Sequence, residues 1–139
     1  MFEGLIEFIE QTVFSLVNQI TTRDGVAGAQ QAGKVGAMVM QFAEKNPGMT
    51  RVMVGDALVF ENERLQQRMN LFFDKLESTL KQSLREVVEA TESATPTVDT
   101  QVQAAVLTAF LVGRLQRFTR SGFKRLPSEH LEASLALML

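Results

Sequence analysis

Between Asn62 and about Ala90 the apolar residues Leu65, Met69, Phe72, Leu76, Leu80, Leu84 and Val87 return every three or four positions, opposite Glu63, Arg64, Gln67, Lys75, Glu77, Lys81 and Arg85. An α-helix, with 3.6 residues per turn, gathers such residues onto one face. Asn62 stands where an N-cap belongs. A helix of this length with one oily face must be covered by other helices, and most of the chain reads as their supply.

Phe2, Leu5, Ile6, Ile9, Val13, Leu16, Val17 and Ile20 predict a helix from Met1 to about Thr22. It begins without a capping residue, as though continuing from something upstream. Asp24 is placed to cap a second helix, Val26 to Lys45, with Ala29, Ala32, Val35, Met38, Val39 and Phe42 on one side. Gly28, Gly33 and Gly36 each weaken that helix by about 1 kcal/mol relative to alanine, which suits a helix against which a neighbour packs closely. Asn46-Pro47-Gly48 breaks the pattern, because proline ends one hydrogen-bond ladder and suits the first position of the next. Met49 to about Phe60 then reads as a short buried helix, apolar nearly all round.

Thr91 to Thr100 is a polar stretch expected to be a mobile loop. Val98 to about Phe118 follows, with a stripe of Val102, Val106, Ala109, Phe110, Val112 and Phe118. Ala105, Ala109 and Gly113 make a nearly smooth ridge there, over which another helix can approach closely. Pro127 to Leu139 completes the set, with Leu131, Leu135 and Met138 on its apolar side. Its oily Leu-Met-Leu end points to burial or to a second cut in a longer chain. No segment alternates with period two, so the fold class is all-α, about six helices in one domain of 139 residues.

Composition narrows the function classes. No apolar run reaches the ~18–20 residues of a bilayer span, and Glu3, Glu7 and Glu10 occupy the place where a signal peptide carries cations. The chain has no cysteine, which excludes disulfides, thiol catalysis and Cys-based zinc sites. Its net charge of −2 makes it a poor holder of DNA by itself, since phosphate neutralisation supplies most non-specific affinity. His130 is the one histidine and has no metal-spaced partner. Asp56, among apolar neighbours, is the more unusual acid, and its simplest reading is that it faces solvent or hydrogen-bonds Thr50 or Arg51. Neither an enzyme nor a metal or cofactor site is expected.

Two clusters remain. Arg114, Arg117, Arg120, Lys124 and Arg125 are five cations without an acid between them, fitting either an anion site or a helix end where cations offset the dipole. Met38, Met40, Met49 and Met53 flank the Asn-Pro-Gly corner with Phe42. Methionine fills irregular cores and also lines adaptable grooves. Lys45 and Asn46 at the same corner add a cation and an amide, a combination suited to a short peptide.

The stretches MFEGLIEFIE, FAEKNPGMTRVMVGDALVFENERLQQRMNLFFDKLE and GRLQRFTRSGFKRLP resemble the regulatory domain of nucleoid occlusion factors of the TetR family. The resemblance implies an all-α TetR-type bundle over residues 1–139, with the N-terminal helix-turn-helix domain outside this chain. DNA would then be a partner only through that domain, in a cytoplasmic, nucleoid-associated protein away from membranes. It also implies a homodimer built from the last two helices, which assigns Ala105, Ala109, Phe110, Gly113, Leu131, Leu135 and Met138 to the interface. The other implied partner is the C-terminal tail of the tubulin-like division protein FtsZ, held between the first two helices. Position by position, that groove retains Phe8 and Asn46, has Met38 where an aliphatic residue is usual, and has Lys45 for an arginine. Gln41 stands where glycine is expected, narrowing the groove, and Leu16 where a basic residue is expected. Two other readings stay open: an effector-sensing TetR domain with an internal apolar pocket, and a purely structural dimerisation module. Against the pocket, Phe42, Phe60, Phe72, Phe73 and Phe110 are large enough to fill the interior.

Overall fold

The structure, a computed structural model, describes residues 2–22, 28–58, 63–92 and 94–139, apart from the side chains at 56, 86 and 90. Six α-helices account for nearly all of them: α1 Phe2–Thr21, α2 Gly28–Lys45, α3 Pro47–Met53, α4 Glu63–Ala90, α5 Pro96–Arg120 and α6 Leu131–Met138. A 3-10 turn covers Asp56–Leu58, and no strand occurs among the described residues. Also among them, no helix is long and apolar enough to cross a membrane. The expected caps Asp24 and Asn62, and Phe60, lie outside the described residues.

The long helix α4 is the spine. Leu76, Leu80 and Leu84 are wholly buried, and Leu65, Met69 and Phe72 nearly so. Each such side chain contributes about 2 kcal/mol on leaving water. The stripe ends on Val88, not Val87, which is only half-buried. α5 lies along α4, and α1 and α2 cover its remaining apolar side. From α1, Ile6, Ile9, Val13 and Val17 complete the core, and from α2 Ala32, Val35, Val39, Met40 and Ala43.

The glycines of α2 do what a thin helix requires. A Cβ on Gly28 would lie 2.2 Å from the carbonyl oxygen of Ser83, so α2 touches the backbone of α4 there. A Cβ on Gly36 would meet Leu111 at 3.4 Å. Close helix packing thus offsets the poor helicity of this segment.

The corner after α2 is as sharp as expected. Pro47 opens α3, and Asn46 donates its side-chain N–H to the Phe42 carbonyl at 2.8 Å, closing α2 rather than capping α3. The buried Thr50 hydroxyl bonds the carbonyls of Ala43 at 2.9 Å and Asn46 at 3.0 Å. It is therefore held by backbone, while the Asp56 side chain expected as its partner lies outside the described residues. α3 is shorter than the helix expected to reach Phe60, because Gly55 turns the chain at φ +89.

Three further expectations change. The second half of the polar stretch 91–100 is helix, since Pro96 starts α5 as Pro47 starts α3. The stripe assigned to α5 is largely its outward face, and the core is reached by Leu107, Leu111, Leu115 and Phe118. Finally, α6 starts at Leu131, not Pro127: Pro127 is buried in a turn, and His130 has a left-handed backbone at φ +52 just before the helix.

Candidate functional site

α1 and α2 pack side by side and leave a cleft of about 340 Å³ between them, lined by Leu16, Gln19, Ile20 and Met38. Met38 is half-buried there, and Gln41 and Lys45, three and seven residues on along the same side of α2, are exposed. Phe8 lies two turns before Leu16 on α1 with its ring 48% exposed, outside the cleft lining itself. Asn46 sits half-buried at the corner, one amide N–H committed to Phe42. Of the five residues expected to form a groove, only Met38 lines this cleft; Gln41 and Lys45 follow it along the same side of α2, Phe8 lies further along α1, and Asn46 sits at the corner after α2. Leu16, expected only as a departure from a basic residue, is brought into the cleft with Met38. Gln19 and Ile20 were missed, although both follow Leu16 at a spacing that keeps them near its side of α1.

Charged residues flank this groove on both helices. Lys34 and Lys45 flank Met38 on the outward side of α2. The acid of α2, Glu44, is turned away and accepts the Ser128 backbone N–H at 2.8 Å. On α1, Glu10 is held by Arg68 at 2.6 Å, Glu3 lies 3.7 Å from Arg64, and Glu7 accepts from Gln11 at 3.3 Å. The Glu10 hydrogen bond is the main reason the Arg68 pKa rises. The cleft lining is thus uncharged, and of the acids on α1 and α2 Glu3 and Glu10 are paired with arginines, while Glu7 and Glu44 are hydrogen-bonded to neutral N–H groups.

A second feature lies on α5 and α6. Val98, Val102 and Val106 are each more than half exposed, and Ala105, Ala109 and Gly113 continue the same face. A Cβ on Gly113 would meet nothing within 4 Å. On α6, Ala133, Ala136 and Leu137 are exposed too, the last 91%. An apolar strip of this extent is unusual on a protein that stays alone in water. Of the seven interface residues expected, Ala105, Ala109 and Gly113 lie on this bare face. The other four turn toward their own protomer: Leu131 and Leu135 enter its core, Met138 packs against it, and Phe110 is half-buried with the Arg114 guanidinium 4.8 Å from its ring.

Three of the five cations, Arg114, Arg117 and Arg125, anchor the turn that leads into α6. Glu129, four residues beyond the cluster, forms two hydrogen bonds with Arg125, at 2.9 and 3.1 Å, and lies 3.8 Å from Arg117. Arg114 donates to the Glu129 carbonyl and to Ser134 Oγ at 3.2 Å. The Arg125 hydrogen bond holds the Glu129 carboxyl below its ordinary value, while burial, then the nearby Arg117, lowers the Arg114 pKa. Arg120 and Lys124 stay exposed.

A larger cleft, about 530 Å³, opens at the surface among α1, α2 and α4, lined by Phe14 and Val17 with polar groups that include Asn18, Gln31, Lys75 and Ser83. Phe42 and Phe72 fill the interior, with Phe73 and Phe110 packed against it. Among the described residues no group of three or more acids or histidines is placed to hold a metal ion.

Comparison with known proteins fits this architecture. Residues 32–139 match the SlmA-like model of the tetracycline repressor-like C-terminal domain. Over 138 residues, 99% of this chain, it is 42% identical to the nucleoid occlusion factors SlmA of Idiomarina loihiensis and Vibrio atlanticus. It is 44% identical to that of Aliivibrio fischeri over the same span. In each case it spans 69% of the relative's length. The chain belongs to the SlmA-like family of tetracycline repressor-like C-terminal domains.

Proposed function

We propose that this chain is the dimerising, partner-binding part of a nucleoid occlusion factor. It pairs with a second copy through the outward faces of α5 and α6. It restrains assembly of the division septum over the chromosome by holding the FtsZ C-terminal tail along α1 and α2. The DNA contact belongs to a helix-turn-helix domain outside this chain, and the intact protein works in the cytoplasm at the nucleoid. Its role is binding, without catalysis.

One observation carries the reading: a chain 42–44% identical to nucleoid occlusion factors leaves an open apolar cleft between α1 and α2, with Phe8 exposed two turns further along α1. Apolar side chains on an extended peptide fill such grooves, and flanking charges set register. A fluorescent FtsZ tail peptide titrated against the chain should bind, and Phe8→Ala should weaken it by about tenfold, the worth of one aromatic contact. Equal affinity for both proteins would remove Phe8 from the site, and no binding to either would remove the tail.

A further inference from the structure

The groove combines features that specify more than a generic apolar peptide. Leu16, Gln19, Ile20 and Met38 line a cleft of about 340 Å³ with no charged side chain among them. Exposed cations stand on either side of it along α2, Lys34 four residues before Met38 and Lys45 seven residues after. No acid lines the cleft: on these helices Glu10 and Glu3 are paired with Arg68 and Arg64, Glu44 accepts the Ser128 backbone N–H, and Glu7 accepts from Gln11. At ~1.5 Å of rise per helical residue the two cations lie about 6 Å and about 10 Å from the cleft along the helix axis. An extended chain advances ~3.3 Å per residue, so these distances correspond to about two and about three peptide residues.

We infer that the groove selects an extended segment whose apolar side chain enters the Leu16–Met38 cleft, with an acidic group about two residues to one side and another about three residues to the other. The inference rests on the groove reading above and sharpens it. Leu16 is the specificity-determining residue: an aliphatic side chain there admits an apolar group, where a cation would call for an acid. Lys34 and Lys45 set the register, as point charges that accept either an Asp or Glu side chain or a terminal carboxylate.

The test uses the whole chain and three labelled probes: the FtsZ tail peptide, a Ser/Gly peptide carrying Asp-x-Leu-x-x-Asp (made also in the reverse order), and an isomer with Leu moved beside one Asp. Fluorescence anisotropy gives affinity, and the Met38 methyl resonance reports where the peptide sits. The spaced peptide should bind about tenfold more tightly than its isomer, roughly the worth of one buried aliphatic side chain. Leu16→Arg should lose that preference and favour a version with Glu in place of Leu. Lys45→Glu, at an exposed position that leaves the core alone, should weaken the spaced peptide severalfold.

If the spaced peptide binds as described and the tail peptide does not, the specificity stands and FtsZ is the wrong partner. Tail binding with spaced peptide and isomer equal overturns the specificity alone. If neither binds, both fall. A Met38 methyl that stays unmoved while peptides bind also overturns the assignment.

Discussion

α5 carries two apolar faces of similar weight that meet opposite fates. Leu107, Leu111 and Leu115 are wholly buried against α4 and α2, while Val98, Val102 and Val106 on the opposite side are more than half exposed. Each leucine exceeds a valine by one CH2, about 0.8 kcal/mol on burial, a difference too small to mark one face as the inner one. What separates them is which face the rest of the same chain can reach. Periodicity reports that a helix has a face to bury, and only the neighbouring helices decide whether that burial happens within one molecule or between two.

The sharpest way to break this comparison is to delete one side chain from each face. Leu111→Ala should cost about 3 kcal/mol in urea unfolding, a lost transfer free energy plus a cavity. Val106→Asp should leave the protomer's unfolding nearly unchanged at low concentration while reducing the sedimenting mass from dimer to monomer. Comparable unfolding costs at the two sites would mean the outward face is covered by the chain itself.

Glycines give the next contrast. Gly28→Ala should destabilise by about 2 kcal/mol, because the new methyl collides with the Ser83 carbonyl, which cannot swing aside. Gly113→Ala has the opposite sign within a protomer: with open space around it, alanine should raise stability by up to about 1 kcal/mol through helix propensity. The same methyl should weaken association if two α5 ridges meet there, which a dilution series by analytical ultracentrifugation would show.

The smallest effect concerns the anchor that brings α6 alongside the outward face. Glu129 has its folded pKa lowered, chiefly by its hydrogen bond to Arg125. A carboxylate of this kind stabilises the fold above its ordinary value of 4.5 and loses that contribution as pH falls through the lowered value. The thermal midpoint should therefore slope downward on the acid side of 4.5, and Glu129→Gln should make that slope shallower. An unchanged slope would assign the acid sensitivity to other carboxylates.

Legibility in the sequence varied with how local each cause was. α1, α2 and α4 were readable because each has one dominant apolar stripe, and the Asn-Pro-Gly corner because proline chemistry acts within a few residues. α5 misled because its two apolar faces carry similar weight. The start of α6 came late because Pro127 suits a turn as well as a first helical position, and the left-handed backbone at His130 leaves no mark in a one-letter string. The arginine cluster looked acid-free because Glu129 lies just past it. In the groove, Met38 and Leu16 were each noticed, but their meeting is a contact between helices that only the packed structure supplies.

The ties along α2 keep one wall of the groove in place. Its first turn rests on the Ser83 backbone, its middle on Leu111, and Glu44 near its end grips the Ser128 amide. α1 is fastened as well: Ile6, Ile9, Val13 and Val17 seat it in the core, Arg68 and Arg64 hold Glu10 and Glu3, and the Gln31 amide donates to the Thr21 carbonyl at 3.1 Å. With both banks fastened, the slot keeps its width, and Lys34 and Lys45 stay at fixed stations along one side of it, like marks on a ruler.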